Sequence, residues 1–315
     1  MSETHGTVDE ARVAGFLGDR LGGQIGDLVP VKQGEWSQAF FFRHADRDYV
    51  VRFGAYLEDF AKDRIAAGYR SPGLPVPNVL DVGEAFGGYY AISERLFGAY
   101  VDSIDGAQMR ALLPSLFGAL DAMRLVDLSA ATGYGGWGAD GHAPFASWQA
   151  ALLDVGNDPQ TGRIAGWRAG LASSPTGAAP FDEAFRHLQM LVSCCPEERY
   201  LIHSDLLHYN VLVAEDRITG VFDWGCGLYG DFLYDLAWFC FWAPWFPAWN
   251  SIDFREEALR HYVAIGLDVP HFEERLLVCQ IHIGLAGQAY QAYKGYWSDL
   301  EATAKRTLEI IAARP

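Results

Sequence analysis

The side chains best suited to chemistry lie in one short stretch, His203-Ser204-Asp205-Leu206-Leu207-His208-Tyr209-Asn210, and in the Asp223-Trp224-Gly225 that follows. Asp205 and Asn210 are five positions apart on a polar loop, and Asp223 comes thirteen positions after Asn210, at the end of an apolar run. Two strand-like segments, 211–213 and 218–222, separate them. Folded as a hairpin, those segments bring Asn210 beside Asp223. An amide oxygen and a carboxylate so placed suit a hard divalent cation. Asp205 then lies close by, where a hydroxyl can approach.

Positioning that loop is the work of the rest of the chain. Residues 11–21 read as an amphipathic helix and 27–33 as a strand, followed by a turn at Gly34-Glu35-Trp36-Ser37. Strand-like runs at 38–43 and 47–53 flank a connection of hairpin length. A helical stretch at 57–70 stops at Ser71-Pro72-Gly73, and 79–83 and 89–94 alternate like strands. Beyond residue 98 the pattern turns helical, at 107–126, 144–154, 181–194, 231–242, 252–266, 271–292 and 298–312. Ser298 and Glu301 have capping-box spacing, which predicts the start of the last helix. Only 200–202, 211–213 and 218–222 interrupt as strands. Strands followed by helices predict an α+β fold of two lobes, 1–97 and 98–315, hinged near Leu96-Phe97-Gly98.

The His-x-Asp-x-x-x-x-Asn loop, the strand pair and Asp-Trp-Gly together resemble the catalytic loop and metal-binding triplet of kinases. Further stretches, at 34–42, 49–53, 60–64, 74–84, 132–148, 201–223 and 230–245, resemble in the same order the aminoglycoside phosphotransferase family, most nearly its hygromycin B-modifying members. The resemblance implies a protein-kinase-like bilobal fold, ATP or GTP as donor, and one or two Mg²⁺ ions. It implies that Asp205 orients the acceptor hydroxyl and takes its proton, and that Asn210 and Asp223 hold Mg²⁺. Residues 35–38, Ser37 among them, become a flap over the phosphates, and Arg52, Asp63 and Glu94 complete the expected nucleotide contacts. Arg52 stands where the family usually has lysine, and Asp63 where it has glutamate. An Arg–Asp pair keeps a two-pronged contact, but arginine is no simple substitute for lysine. Lys62 is a second candidate for the phosphates. His203 reads as structural and His208 as a solvated loop residue.

Asp231 and Asp235 are four apart on one helix and share a face. With Asp205, Glu256 and Glu257 they are candidates for an anionic cleft that attracts a polyamine sugar. Trp238 and Trp245 are the expected acceptor contacts, within an aromatic run in which Trp249 is also placed to stack. The glycine-rich 133–138 lacks the lysine and helix of a phosphate loop and reads as a loop near the acceptor.

The formal net charge of −16 disfavours nucleic acid and anionic lipid as partners. Five cysteines without a Cys-x-x-Cys pair fit a reducing cytoplasm. Residues 1–10 lack the order of a signal peptide. The uncharged run 236–249 is 14 residues with two prolines, too short to span a bilayer. The expected partners are a nucleotide and a small antibiotic such as hygromycin B, with the chain a monomer or weak dimer. Other hydroxylated acceptors (a nucleoside or peptide antibiotic, a macrolide, choline, homoserine) use the same chemistry. Arg52 and Asp63 also leave open a nucleotide binder without turnover. A protein kinase is disfavoured, because no Ala-Pro-Glu segment or long activation loop follows Asp223.

Overall fold

The computed structural model describes residues 8–31, 34 and 36–313. The chain opens with helix α1 (Glu10–Leu21), then β1 (Gly26–Pro30), β2 (Ser37–His44), β3 (Arg47–Gly54), α2 (Leu57–Ala67), β4 (Val79–Ala85) and β5 (Gly88–Glu94). These strands form one antiparallel sheet in the order β1-β2-β3-β5-β4. Alternation decides its faces: Phe40 and Phe42, Val51 and Phe53, and Tyr90 and Ile92 point to one side and bury against Val13 and Leu17 of α1.

The remaining elements are β6 (Ala99–Tyr100), α3 (Gly106–Arg124), β7 (Gly135–Gly136), α4 (Trp148–Leu153), α5 (Trp167–Ser173), α6 (Ala179–Leu191), β8 (Tyr200–Ile202), β9 (Val211–Ala214), β10 (Arg217–Val221), β11 (Leu228–Gly230), α7 (Leu233–Trp242), α8 (Phe254–Ala264), α9 (Phe272–Lys294) and α10 (Trp297–Ala312). Helix α9 is buried on nearly every side, because α5, α6, α7 and α10 all pack on it. Two small sheets, β10-β9-β6 and β7-β11-β8, lie among these helices.

The connection that follows β5 is sterically determined. Gly98 has φ +154, and a Cβ there would fall 2.7 Å from both Thr219 Oγ1 and Val213 O. The Thr219 hydroxyl donates to Phe97 O at 2.7 Å, so the connection from β5 is fastened to the β9–β10 hairpin. Gly230 permits a second close approach, since a Cβ would lie 2.4 Å from the Trp148 ring.

One local expectation is corrected. Helix α10 starts at Trp297 with Tyr296 as N-cap and no side-chain cap, so Ser298 and Glu301 form no capping box. That motif occurs instead at α3, where Asp105 and Gln108 cap reciprocally. The glycine-rich 133–138, expected as a loop, is irregular apart from one short paired stretch. Gly135–Gly136 pairs with β11, and Trp137 is fully buried, stacked 5.6 Å from Tyr229.

Candidate active site

The loop 203–210 leaves β8 and enters β9, and its shape is set by backbone hydrogen bonds. His203 Nε2 lies 3.0 Å from Phe222 O, and Asp205 N–H donates to His203 Nδ1 at 3.2 Å. A carbonyl only accepts, so the proton sits on Nε2 and the imidazole is neutral. His203 is fully buried with its ring 4.6 Å from Trp224, which is the structural part expected of it. Asp235, buried on α7, accepts the N–H groups of both His203 and Ser204.

At the far end of the loop, Asp102 accepts the N–H groups of His208 (2.7 Å) and Tyr209 (2.9 Å). Those residues have φ 60 and 71, and Ser204 has φ 61. Three non-glycine residues in the left-handed region within six positions is costly, and the surrounding hydrogen bonds hold them there.

The result is a set of converging oxygens. Asn210 Nδ2 donates to Asp205 O (2.9 Å) and to Asp205 Oδ2 (3.0 Å). Phe222 N–H donates to Asn210 O at 3.1 Å, and β9 pairs antiparallel with β10 through Val211 and Val221. The hairpin therefore carries Asp223 to the side of Asn210. Asp223 is itself left-handed (φ 65), and its side chain is 48% exposed. The amide nitrogen of Asn210 is spent on Asp205, and its oxygen remains an acceptor. Two protein oxygens, with phosphates and water for the rest, make an ordinary Mg²⁺ set, so the donors fit the ion.

The sheet lobe reaches this point through Arg52. Its guanidinium is hydrogen-bonded to Asp63 Oδ2, and its NH1 stands 3.6 Å from Asp223 Oδ1. Asp63 Oδ1 accepts the N–H of Trp224 at 2.9 Å. Asp63 is buried, so it orients Arg52 and the Asp-Trp-Gly turn and does not face the cleft. Arg163, from the segment before α5, donates to Asp59 at 2.6 Å and lies 4.0 Å over the Tyr56 ring and 5.5 Å over Trp36. A cation from the helical lobe thus holds the start of α2 and reaches over Trp36 in the turn before β2. Ser37 starts β2 opposite Gly54, and Glu35 lies outside the described residues.

The family model for the phosphotransferase enzyme family matches residues 27–273. The chain belongs to that family. Hygromycin-B 4-O-kinase of Escherichia coli is 33% identical over 270 residues, covering 85% of this chain and 75% of that protein. The crystal structure of aminoglycoside phosphotransferase APH(4)-Ia superposes with a TM-score of 0.84 at 28% identity, covering 98% of this chain and all of that one. A thermostable mutant of it, in ternary complex with AMP-PNP and hygromycin B, gives a TM-score of 0.83 at 29% identity, over 95% of this chain and 98% of that one. The fold of this phosphotransferase is therefore the kinase-like one, a strand lobe and a helical lobe.

Several expected site residues are differently employed. Asp231 is fully buried in a two-pronged ion pair with Arg275, at 2.8 and 2.7 Å, and caps Leu233 N–H. It cannot reach an acceptor. Asp235 is spent on the loop backbone, and burial pushes its carboxyl up to about 6 despite the N–H bonds. The sequence placed both on one helix face; in the structure Asp231 lies before α7, which begins at Leu233, and Asp235 is on its buried side. Glu256 and Glu257 are both bridged by Arg260, at 3.0 and 2.8 Å, which leaves little net charge for a cleft.

Lys62 is buried and donates to Gly225 O at 2.8 Å, and burial pulls its ammonium below the ordinary lysine value. It braces the turn after Asp223 and is not free for phosphates. Glu94 Oε1 accepts from Arg70 (2.6 Å) and from Asn78 N–H (3.1 Å), so it ties the hinge to the start of β4. Trp249 is buried against Phe246, with its N–H on Ile104 O, and is no stacking platform. Trp245 is 39% exposed, and Trp238 is half-buried. Trp238 and Trp242 meet the His208 ring edge-on at 6.1 and 5.9 Å, and neither indole N–H has an acceptor. His208 is not a free loop residue: its Nδ1 is 2.8 Å from Asp205 Oδ1.

No helix among the described residues is long and apolar enough to cross a membrane. Cys194, Cys195, Cys226, Cys240 and Cys279 are all free thiols.

Proposed function

We propose that this phosphotransferase moves the γ-phosphoryl group of ATP to a hydroxyl of an aminoglycoside antibiotic of the hygromycin B type. The observation that carries the reading is the hydrogen-bonded cluster of Asp205 and Asn210 beside Asp223, on a chain that matches a hygromycin-B kinase over most of its length. The acceptor oxygen forms a bond to phosphorus as the bond from the γ-phosphorus to ADP breaks. The hydroxyl proton passes to Asp205, which contributes roughly 10²- to 10⁴-fold as a positioned base. Asn210 and Asp223 would hold Mg²⁺, which would supply charge neutralisation at the phosphates.

Arg52 has the family's lysine position and is aimed by two carboxylates, Asp63 and Asp223. That placement supports a role on the phosphates and argues against a chain that binds nucleotide without turning it over. Half-buried Trp238, on α7 beside the His208 ring, and exposed Trp245, in the turn after α7, supply flat apolar surface for sugar rings.

A panel tests this. Purified protein with Mg²⁺ and ATP is offered hygromycin B, other aminoglycosides, macrolides and nucleoside antibiotics, and each product is weighed by mass spectrometry. Hygromycin B gains one phosphoryl group on this reading. Transfer only to a macrolide or a nucleoside would replace the acceptor class, and no transfer to any hydroxyl would remove the reading.

A further inference from the structure

Asp205 has both carboxylate oxygens engaged. Asn210 Nδ2 donates to Oδ2, and His208 Nδ1 lies 2.8 Å from Oδ1. A carboxylate only accepts, so Nδ1 of His208 carries the proton in this bond. We infer that His208 is a positioning residue for the transfer reaction, fixing the plane of the Asp205 carboxylate in which a hydroxyl must be met. The inference rests on the reading of Asp205 as base.

One hydrogen bond leaves a carboxylate free to swing about its Cβ–Cγ bond; two bonds, one to each oxygen, from His208 and Asn210, do not. Each oxygen keeps a second lone pair, so the clamp leaves room for a substrate hydroxyl. Holding a reacting group within a fraction of an ångström of its productive place is a large part of catalysis, and a displacement of about 1 Å costs on the order of 100-fold.

The backbone is arranged to aim this ring. His208 and Tyr209 both lie in the left-handed region, which side chains with a Cβ avoid. Both N–H groups of that kink are held by Asp102, more than a hundred positions earlier in the chain. The opposite side of the ring is confined by the edges of Trp238 and Trp242 from α7. Two distant parts of the chain therefore support a strained turn whose outcome is a nitrogen directed at Asp205. Strain that is over-determined from outside is a mark of function.

The test uses steady-state kinetics on the full chain, with ATP and the acceptor found by the panel above. His208→Leu fills similar space without a donor; His208→Asn keeps one, because its Nδ2 stands where the imidazole has Nδ1. We expect His208→Leu to lower kcat about 10- to 100-fold, with both KM values and the melting temperature close to those of the wild type. His208→Asn should recover most of kcat, which a purely structural role would not require. In an Asp205→Asn background, His208→Leu should cost nothing more. Should His208→Leu lose its fold, His208→Ala carries the same comparison. Wild-type kcat in His208→Leu, no recovery in His208→Asn, or losses that multiply in the double variant would each overturn the inference while leaving Asp205 as base. Full turnover by Asp205→Asn alone would instead remove the base reading, and this inference with it.

Discussion

Asp235 holds the start of the catalytic loop from beneath, its two oxygens accepting the N–H groups of His203 and Ser204 at 2.8 and 2.7 Å. A carboxylate on helix α7 is thus part of the backbone hydrogen-bonding of a loop some thirty residues earlier. Burial raises its pKa from 3.8 to about 6. Folding then tightens its hold on the proton, so the stability it contributes is complete below about pH 3.8 and is lost as pH rises through about 6. Asp235→Asn, which does not ionise, lacks this dependence. The unfolding free energy of the wild type relative to the variant should fall by about 2 kcal/mol between about pH 4 and pH 7. Urea titrations across that range check it; a constant difference would contradict the shift.

The Asp231–Arg275 pair predicts a different kind of loss. Asp231 is fully buried and Arg275 is 5% exposed, joined by two hydrogen bonds. Removing one partner strands the other charge, at a cost of about 3–5 kcal/mol. Asp231→Ala should therefore lower the urea midpoint sharply. Replacing both residues with apolar ones of similar volume should recover much of that loss. A single variant as stable as the wild type would mean the pair is not buried as described.

Arg52 predicts a kinetic effect. It reaches Asp63 and Asp223 at once, with NH1 3.6 Å from Asp223 Oδ1. A lysine ammonium is a single point donor and cannot reproduce a planar fork. Arg52→Lys should lower kcat/KM for ATP about tenfold, and Arg52→Met by about 100-fold or more, with the KM of the acceptor little changed. Equal activity of the lysine variant would show that only charge matters at this position.

The contact of Arg163 with Asp59, at 2.6 Å, and with the Tyr56 and Trp36 rings predicts a link between the lobes. Its side chain is 30% exposed, so its worth to stability is small, about 1 kcal/mol or less. Arg163→Ala should leave the melting temperature near that of the wild type while raising KM for ATP severalfold, because the start of α2 and the turn before β2 lose their hold on the helical lobe. An unchanged KM would mean the contact plays no part in nucleotide binding.

The contrast between these residues shows what a chain reveals unaided. The loop 203–210 and Asp223 were legible because their chemistry is local: five positions of loop and one hairpin bring the groups together, and the hairpin register follows from apolar strands. Asp231 and Asp235 misled because the helix starts two residues after Asp231, and because helical spacing does not say which way a face looks. Their partners, Arg275 and the His203 and Ser204 N–H groups, are 44, 32 and 31 positions away. Asp102 left no signal, since a carboxylate before α3 announces nothing about a kink 106 positions later. Strands β6, β7 and β11, two or three residues long, are too short for alternation to register, and they exist only because neighbours distant in the chain offer partners. The failed capping box at Ser298 has the same cause: α10 begins one residue earlier, at Trp297, set by its packing on α9.

The most direct measurement compares turnover and nucleotide binding in Asp205→Ala. Phosphorylation of hygromycin B is followed by mass spectrometry, and AMP-PNP binding with Mg²⁺ by calorimetry. The account predicts that turnover falls by about 10²- to 10⁴-fold while the affinity for AMP-PNP stays within about threefold of the wild type, since Asn210, Asp223 and Arg52 are untouched. A variant that phosphorylates hygromycin B at close to the wild-type rate would contradict it.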